Sequence, residues 1–126
     1  MVFIFGGAYQ GKLDFALEKF GFDEKYVCRC TENDREIDFD KKVIYDLQEF
    51  TFGCIKRGEE PKAYLTAHME ELGEKVIICT DVSQGVVPID RYERAWREEN
   101  GRCMNLIAGV SDEVYRVFCG IGSKVK

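Results

Sequence analysis

The chain has 126 residues, of which 45% are hydrophobic and 33% charged, with a formal net charge of −5. This length and composition predict a single domain and exclude intrinsic disorder, and the acidic balance disfavours nucleic acid as a partner because the surface repels phosphate backbones. No apolar run approaches the about 20 residues that span a membrane, and the first residues lack the basic flank of a signal peptide, so we expect a cytoplasmic protein without a membrane partner.

Short apolar segments alternate with helical patterns along the chain. The predicted strands are residues 2–5, 26–30, 42–45, 76–79 and 114–119. The predicted helices are residues 12–20, 47–55, 63–72 and 92–108, and a basic tail follows the last strand at 124–126. Buried strands that alternate with helices are typical of a parallel sheet covered on both faces. The predicted fold class is therefore α/β, with three layers and a mostly parallel central sheet flanked by helices.

The number of cysteines, six, is typical of a disulfide framework, but the residues around them favour free thiols. Four of them lie singly among the apolar residues of predicted strands or helices, where cysteine behaves as a small hydrophobic residue: Cys54, Cys79, Cys103 and Cys119. Cys28 and Cys30 form the one close pair, and no second pair has zinc-ligand spacing. We expect reduced structural thiols, with a redox or metal role for this pair as the open alternative.

The segment 6–13, G-G-A-Y-Q-G-K-L, matches the G-x-x-x-x-G-K pattern of a phosphate-binding loop between a strand and a helix. Glycines allow successive N–H groups to turn toward an anion, and the helix that follows adds its positive N-terminal end. The predicted nucleotide-binding residues are Gly6, Gly7, Ala8, Tyr9, Gln10, Gly11, Lys12 and Leu13. Residues 1–126 are therefore predicted to form one P-loop nucleotide-binding domain for ATP or GTP, and a tight turn in another α/β fold is the alternative.

The residue after the loop lysine is unusual. The full pattern continues with Ser or Thr, whose hydroxyl coordinates Mg²⁺, and here the residue is Leu13. Asp46 and Asp81 follow the third and fourth predicted strands, at the sheet edge where open α/β folds bind ligands. The predicted catalytic residues are Lys12, Asp46 and Asp81, and the two aspartates are also the predicted Mg²⁺ ligands. The alternative for each aspartate is capping a helix or turning its loop.

Residues 80–88, T-D-V-S-Q-G-V-V-P, resemble the N-E-V-G-x-G-I-V-P signature of the bifunctional adenosylcobinamide kinase/adenosylcobinamide-phosphate guanylyltransferase family. Other segments agree in chain order. Residues 6–13 resemble that family's G-G-x-x-S-G-K-S, and Asp46 matches an aspartate after a central strand. Residues 94–105 resemble its R-x-x-R-D-x-x-G-x-x-N helix, and 114–126 its last strand, glycine and terminal lysine. The match covers most of the chain, and the middle is shortened.

The resemblance implies a P-loop NTPase-like fold, Mg²⁺ with ATP or GTP as cofactors, a cobinamide-like small molecule as substrate, and a homo-oligomer, in that family a trimer. Enzymes of the family phosphorylate a cobinamide hydroxyl and then attach GMP through a guanylylated histidine. Residues 30–42, the corresponding stretch, contain no histidine. The sole histidine, His68, lies in a predicted helix and is expected to be partly buried there. The sequence therefore favours kinase chemistry, with a catalytically inactive nucleotide-binding relative as the alternative.

Several arginines lie on the predicted helix 92–108 or beside it. They are Arg91, Arg94, Arg97 and Arg102. Arg94 is the predicted nucleotide-binding member, because guanidinium makes forked hydrogen bonds to phosphate oxygens. The alternative is ion pairing with neighbouring glutamates on a solvated face. Trp96, on the same helix, is predicted to lie in the core or at a subunit contact.

Overall fold

Six strands and five α-helices are formed by residues 1–83 and 90–126, the part of the chain that the computed structural model describes. The strands are β1 (Val2–Gly6), β2 (Val27–Arg29), β3 (Val43–Tyr45), β4 (Val76–Thr80), β5 (Glu113–Phe118) and β6 (Ile121–Lys124). The helices are α1 (Lys12–Phe20), α2 (Leu47–Lys56), α3 (Pro61–Ala67), α4 (Met69–Leu72) and α5 (Arg91–Val110), and a 3-10 turn spans Glu24–Tyr26. None of these helices is long and apolar enough to cross a bilayer.

The strands form one sheet in the order β2-β3-β4-β1-β5-β6, and every neighbouring pair is parallel except β5 and β6. The central strand β1 places Ile4 between Ile78 of β4 and Tyr115 of β5. The apolar runs are explained by this position, since a central parallel strand is buried on both faces. The predicted α/β class with a mostly parallel sheet is confirmed.

Helices cover both faces of the sheet and give it three layers. On one face Ala16 of α1 packs with Ile4 and Ile78, which are both fully buried. On the other face Leu47 of α2 and Ile107 of α5 belong to a larger cluster with residues of the sheet and of α3 and α4. The ends of β1, β3 and β4 therefore open between α1 on one side and α2 and α5 on the other.

Two helix boundaries show how local chemistry sets the chain path. Helix α1 ends as predicted at Gly21, whose φ of 72° is left-handed and whose N–H bonds to the Leu17 carbonyl. The predicted helix 63–72 is instead two helices, because the backbone at His68 departs from helical geometry (φ −109°, ψ 22°). Pro61 starts the first of them two residues earlier than predicted, as its fixed φ suits a first helical turn.

The antiparallel strand β6 (Ile121–Lys124) was not predicted, and it includes Lys124, the first residue of the predicted basic tail 124–126. The turn between the strands consists of Cys119 and Gly120, with φ of 52° and 76°. Two consecutive positive φ values match the twist of a tight hairpin. Cys119 was also predicted within the last strand, but it lies in this exposed turn because the chain reverses there.

All six cysteines are free, and Cys54, Cys79 and Cys103 are buried as expected for structural thiols. Cys30 is buried beside the half-buried Cys28. A hydrogen bond from the Cys30 thiol outweighs burial and lowers the pKa of Cys28 to about 7, and the same bond raises the pKa of Cys30. A redox role for this pair stays a prediction.

Candidate functional site

The loop between β1 and α1 needs glycine for steric reasons. A Cβ on Gly6 would lie 2.4 Å from the Val117 carbonyl oxygen, so no side chain fits at the end of β1. Gly11 has a φ of 82°, and a Cβ there would lie 3.3 Å from the Cα of Gly120. Tyr9, at the fully exposed tip, has a φ of 59°, which is uncommon for an aromatic residue. The tight conformation predicted from the glycines is therefore present.

Gln10 anchors this loop to the hairpin turn between β5 and β6. Its side-chain oxygen accepts a hydrogen bond from the backbone N–H of Cys119 at 2.7 Å. Its own carbonyl accepts one from the N–H of Gly120 at 2.8 Å. This contact could not be predicted from local pattern, since the partners lie more than a hundred residues apart.

Lys12, the predicted phosphate ligand of the loop, lies inside the molecule with only 6% of its surface exposed. Its Nζ donates a hydrogen bond to the carbonyl of Gly7 at 2.6 Å. Burial lowers the pKa of Lys12, and the nearby carboxylate of Asp46 opposes that shift. The ammonium group is thus held against the loop, at the edge of a cavity.

This cavity has a volume of about 560 Å³ and opens at the carboxyl ends of the strands. It is lined by the predicted loop residues 8–13 and by Asp14, Arg29, Tyr45, Asp46, Gln48, Glu49, Thr80, Val82 and Trp96. The structure thus brings Lys12 and Asp46 to one cavity. Gly6, Gly7, Asp81 and Arg94 are not among the described residues that line it.

Asp46 has a left-handed backbone, with φ 59° and ψ 44°, at the point where β3 leads into α2. Its side chain does not cap that helix within the described part of the chain. One carboxylate oxygen accepts a hydrogen bond from Nε2 of Gln48 at 3.1 Å, and the other lies 3.6 Å from Nη1 of Arg29. The capping alternative is therefore wrong for Asp46. Strain of this kind costs about 1–3 kcal/mol and is concentrated at functional sites.

Asp81 uses its carboxylate within its own loop. The same oxygen accepts hydrogen bonds from the backbone N–H of Ser83 at 2.9 Å and from its hydroxyl at 2.5 Å. This contact agrees with the alternative that Asp81 stabilises the turn of its own loop. The catalytic and metal-binding roles of Asp81 stay predictions. The remainder of the signature loop, residues 84–89, lies outside the described residues.

Three residues that sequence reasoning missed surround Asp46. Gln48 accepts a hydrogen bond from the backbone N–H of Thr80 at 2.9 Å, so its amide joins the ends of β3 and β4. Arg29 stacks on the ring of Tyr45, with its Cζ 4.6 Å from the ring centroid. A signal was available for Arg29 and Tyr45, because each is the last residue of a strand at the edge where ligands bind.

Trp96 joins α5 to this edge of the sheet. Its indole N–H donates to the carbonyl of Gln48 at 2.8 Å, and its ring stacks on Phe52 at 4.7 Å. The hydroxyl oxygen of Thr51 lies 2.9 Å from the same carbonyl and 2.8 Å from the side-chain oxygen of the buried Asn100, either of which can accept its single proton. Trp96 is therefore partly a core residue, as predicted, and also lines the cavity.

The arginines of α5 have different surroundings. Arg102 pairs with Glu98 at 2.8 Å and with Glu99, as the ion-pair alternative proposed. Arg97 donates to the carbonyl of Ser83, which connects α5 to the start of the signature loop. Arg94 is exposed in the first turns of the helix, and its nucleotide-binding role stays a prediction.

The residues predicted to hold Mg²⁺ do not form a site together. Leu13 has no oxygen to offer, one oxygen of Asp81 is bound by Ser83, and Asp46 faces the cation of Arg29. Across residues 1–83 and 90–126, no group of three or more His, Cys, Asp or Glu side chains could hold a metal ion. The predicted metal role of the two aspartates therefore gains no support from this donor set.

His68 is half-buried, as predicted, and lies between two aromatic rings. Its ring is 5.1 Å from that of Phe39 and 4.3 Å from that of Tyr64. Its Nδ1 lies 3.6 Å from a carboxylate oxygen of Glu71. It is not among the residues that line the cavity beside Lys12.

Comparison with known proteins adds an independent observation. The model of the family described as "Cobinamide kinase / cobinamide phosphate guanyltransferase" matches residues 47–125. The bifunctional adenosylcobalamin biosynthesis protein CobU of Salmonella typhimurium is 31% identical over 83 residues, which cover 64% of this chain and 46% of that protein. The protein of the same name from Escherichia coli is 36% identical over 63 residues, which cover 49% of this chain and 35% of that protein. The chain thus matches less than half the length of either relative.

Proposed function

Because this chain belongs to the cobinamide kinase / cobinamide phosphate guanyltransferase family, we propose that it is a nucleotide-binding protein of cobalamin biosynthesis that holds the phosphates of ATP or GTP at residues 6–13. One observation carries the proposal. Lys12 is buried at the edge of a 560 Å³ cavity, beside a strained glycine loop. Among the described residues its ammonium group donates to the Gly7 carbonyl, and an ammonium group has three donors, so it can also bind an anion.

The loop offers three sources of attraction for phosphate. Its backbone N–H groups and the N-terminal end of α1 carry partial positive charge. The ammonium of Lys12 adds a full charge, and its bond to the Gly7 carbonyl fixes the side chain beforehand. Because the Lys12 side chain is already ordered, phosphate binding costs less conformational entropy.

The activity we propose is phosphoryl transfer from the nucleotide to a hydroxyl of a cobinamide-like small molecule. Phosphoryl transfer depends mainly on positioning and charge neutralisation. Asp46, at the cavity and near Lys12, is the residue we assign to accept the hydroxyl proton. No step is assigned to a metal ion, because the donor set does not fit one.

A second candidate, nucleotide binding without turnover, is favoured by two specific observations. Leu13 replaces the hydroxyl of the full loop pattern, and the carboxylate of Asp46 faces the cation of Arg29. Both oxygens of this carboxylate already face protein groups, Arg29 and Gln48, so they are less open to a substrate hydroxyl. Guanylyl transfer is not proposed, because residues 30–42 contain no histidine for the covalent intermediate.

One experiment separates these candidates. Purified protein is incubated with γ-labelled ATP or GTP and cobinamide, and nucleotide affinity is measured in parallel by calorimetry. Labelled cobinamide phosphate supports the kinase, whereas tight binding with no product supports the binding protein. Absence of nucleotide binding would overturn both.

The loop assignment has a matched control on the other side of the sheet. Lys12→Ala should abolish nucleotide binding, whereas Lys62→Ala, an equal charge change at an exposed position of α3, should leave it unchanged. Equal affinity of the two variants would contradict the site.

The homo-oligomer, a trimer by family resemblance, is proposed as well, and sedimentation velocity measures it.

A further inference from the structure

We propose that Arg29 is the second cation of this site and that it binds phosphate oxygens of the nucleotide where a divalent cation would be expected, so that nucleotide binding needs no Mg²⁺. This inference rests on the proposed function and names the ligand more closely, as a metal-free nucleoside triphosphate. It also assigns Asp46 a positioning role toward Arg29.

The guanidinium of Arg29 is held on two sides. The Tyr45 ring stacks on it at 4.6 Å, and the Asp46 carboxylate lies 3.6 Å from Nη1. The far oxygen of Asp46 is in turn fixed by Gln48, whose own oxygen bonds to Thr80. A chain of contacts from two strands therefore orients a planar cation at the cavity.

The remaining donors of this cation are available to a ligand. Guanidinium has five N–H groups, and among the described residues it faces the Asp46 carboxylate through Nη1 and bonds to the Tyr45 hydroxyl, which leaves further N–H groups for a ligand. The side chain of Arg29 is 58% exposed and lines the same cavity as Lys12. A fork of N–H donors matches two phosphate oxygens, so Arg29 can bind phosphate while Asp46 still holds it.

The neighbouring residues explain why an arginine is needed. Leu13 lacks the hydroxyl that would bring Mg²⁺ to the phosphates, and one carboxylate oxygen of Asp81 already accepts hydrogen bonds from Ser83. Charge on the outer phosphates must nevertheless be neutralised, and Lys12 alone supplies one unit. Arg29 adds a second fixed cation at the same cavity.

Acidic residues also line this cavity, namely Asp14, Asp46 and Glu49. Arg29 would therefore act by direct hydrogen bonds to phosphate oxygens and not by the net charge of the lining.

The test measures the affinity for ATP and for GTP in EDTA and in MgCl₂, by calorimetry and by the fluorescence of Trp96, the single tryptophan, which lines the cavity. Wild-type protein should bind with affinities that agree within about threefold in the two buffers. Arg29→Gln should weaken binding about tenfold or more in both, and Arg29→Lys should recover part of the loss, because lysine keeps the charge but not the fork.

Arg35→Gln is the matched control, since it makes the same charge change at an exposed residue away from this cavity. Thermal unfolding of each variant verifies that the fold is retained. Binding that requires Mg²⁺, or an Arg29→Gln variant that binds like wild type in EDTA, would overturn the inference and leave the proposed function standing. No binding of either nucleotide in either buffer would overturn the proposed function itself.

Discussion

The side-chain oxygen of Gln10 accepts a hydrogen bond from the backbone N–H of Cys119 at 2.7 Å, and this bond ties the phosphate loop to the β5–β6 turn. The backbone carbonyl of Gln10 also accepts a bond from the N–H of Gly120, so the loop and the turn constrain each other. The terminal hairpin is thus part of the support of the site.

From this contact we expect Gln10→Ala to lower the free energy of unfolding by about 1 kcal/mol, the usual value of such a hydrogen bond. Hydrogen exchange at the Cys119 amide should accelerate, because the N–H loses its acceptor. Nucleotide affinity should also fall, as the loop becomes less ordered. An unchanged exchange rate at Cys119 would show that the bond does not form in solution.

Alanine substitutions at Gly6 and Gly101 should change the stability of the protein in opposite directions. Gly6→Ala should destabilise the protein by about 2 kcal/mol or more, because the new methyl group would overlap the Val117 carbonyl oxygen. Gly101→Ala, in the middle of α5 with open space around the Cβ position, should instead stabilise it by about 0.5–1 kcal/mol. Urea unfolding of both variants checks the opposite signs.

The hydroxyl of Thr51 is buried and lies within hydrogen-bond distance of both Gln48 and Asn100. Thr51→Val keeps the shape but leaves the Asn100 oxygen with the longer thiol contact from Cys79 and removes an acceptor of the Trp96 N–H, which should cost about 1–3 kcal/mol. Thr66→Val removes an exposed hydroxyl on α3 and should change stability by less than about 0.5 kcal/mol. Equal effects of the two variants in denaturant titrations would argue against the buried network.

Glu49 lines the cavity, and burial raises its pKa above the usual value, with Asp46 and Glu32 adding to the shift. A raised folded-state pKa means that the protonated form is favoured in the fold. The protonated carboxyl group of Glu49 therefore contributes to stability below the pKa of the unfolded chain. This contribution is lost as the pH rises through the pKa of Glu49 in the folded protein. Glu49→Gln should therefore be more stable than wild type at pH 7, an advantage that shrinks toward pH 4.

Unfolding in urea at both pH values measures this difference. Glu18→Gln, an equal charge change at an exposed position of α1, is the control and should follow wild type at each pH. A Glu49→Gln variant without any gain at pH 7 would refute the burial argument.

The parts of the fold that follow from local pattern were predictable from the sequence. The five predicted strands and the stop of α1 at Gly21 belong to this group, because each depends on residues adjacent in the chain. Strand β6 could not be predicted from its own residues, since Ile121–Lys124 has no clear alternation and its pairing depends on the turn before it.

The candidate site divides in the same way. The glycine loop, Lys12 and Asp46 have local signatures, whereas the bonds of Gln48 to Asp46 and Thr80 depend on how two strand ends meet. The partnership of Arg29 with Asp46 depends on β2 lying beside β3, a neighbour relation that no single segment encodes.

Tyr9, Asp46 and Cys119 are the non-glycine residues with positive φ in the described part of the chain, and Tyr9 and Asp46 line the cavity while Cys119 bonds to its loop. Residues held in this way raise the energy of the native state by about 1–3 kcal/mol each. Glycine at these positions would relieve that strain while loosening the loop and the strand end. Efforts to make this protein more heat-resistant by such replacements would therefore be expected to erode ligand binding first.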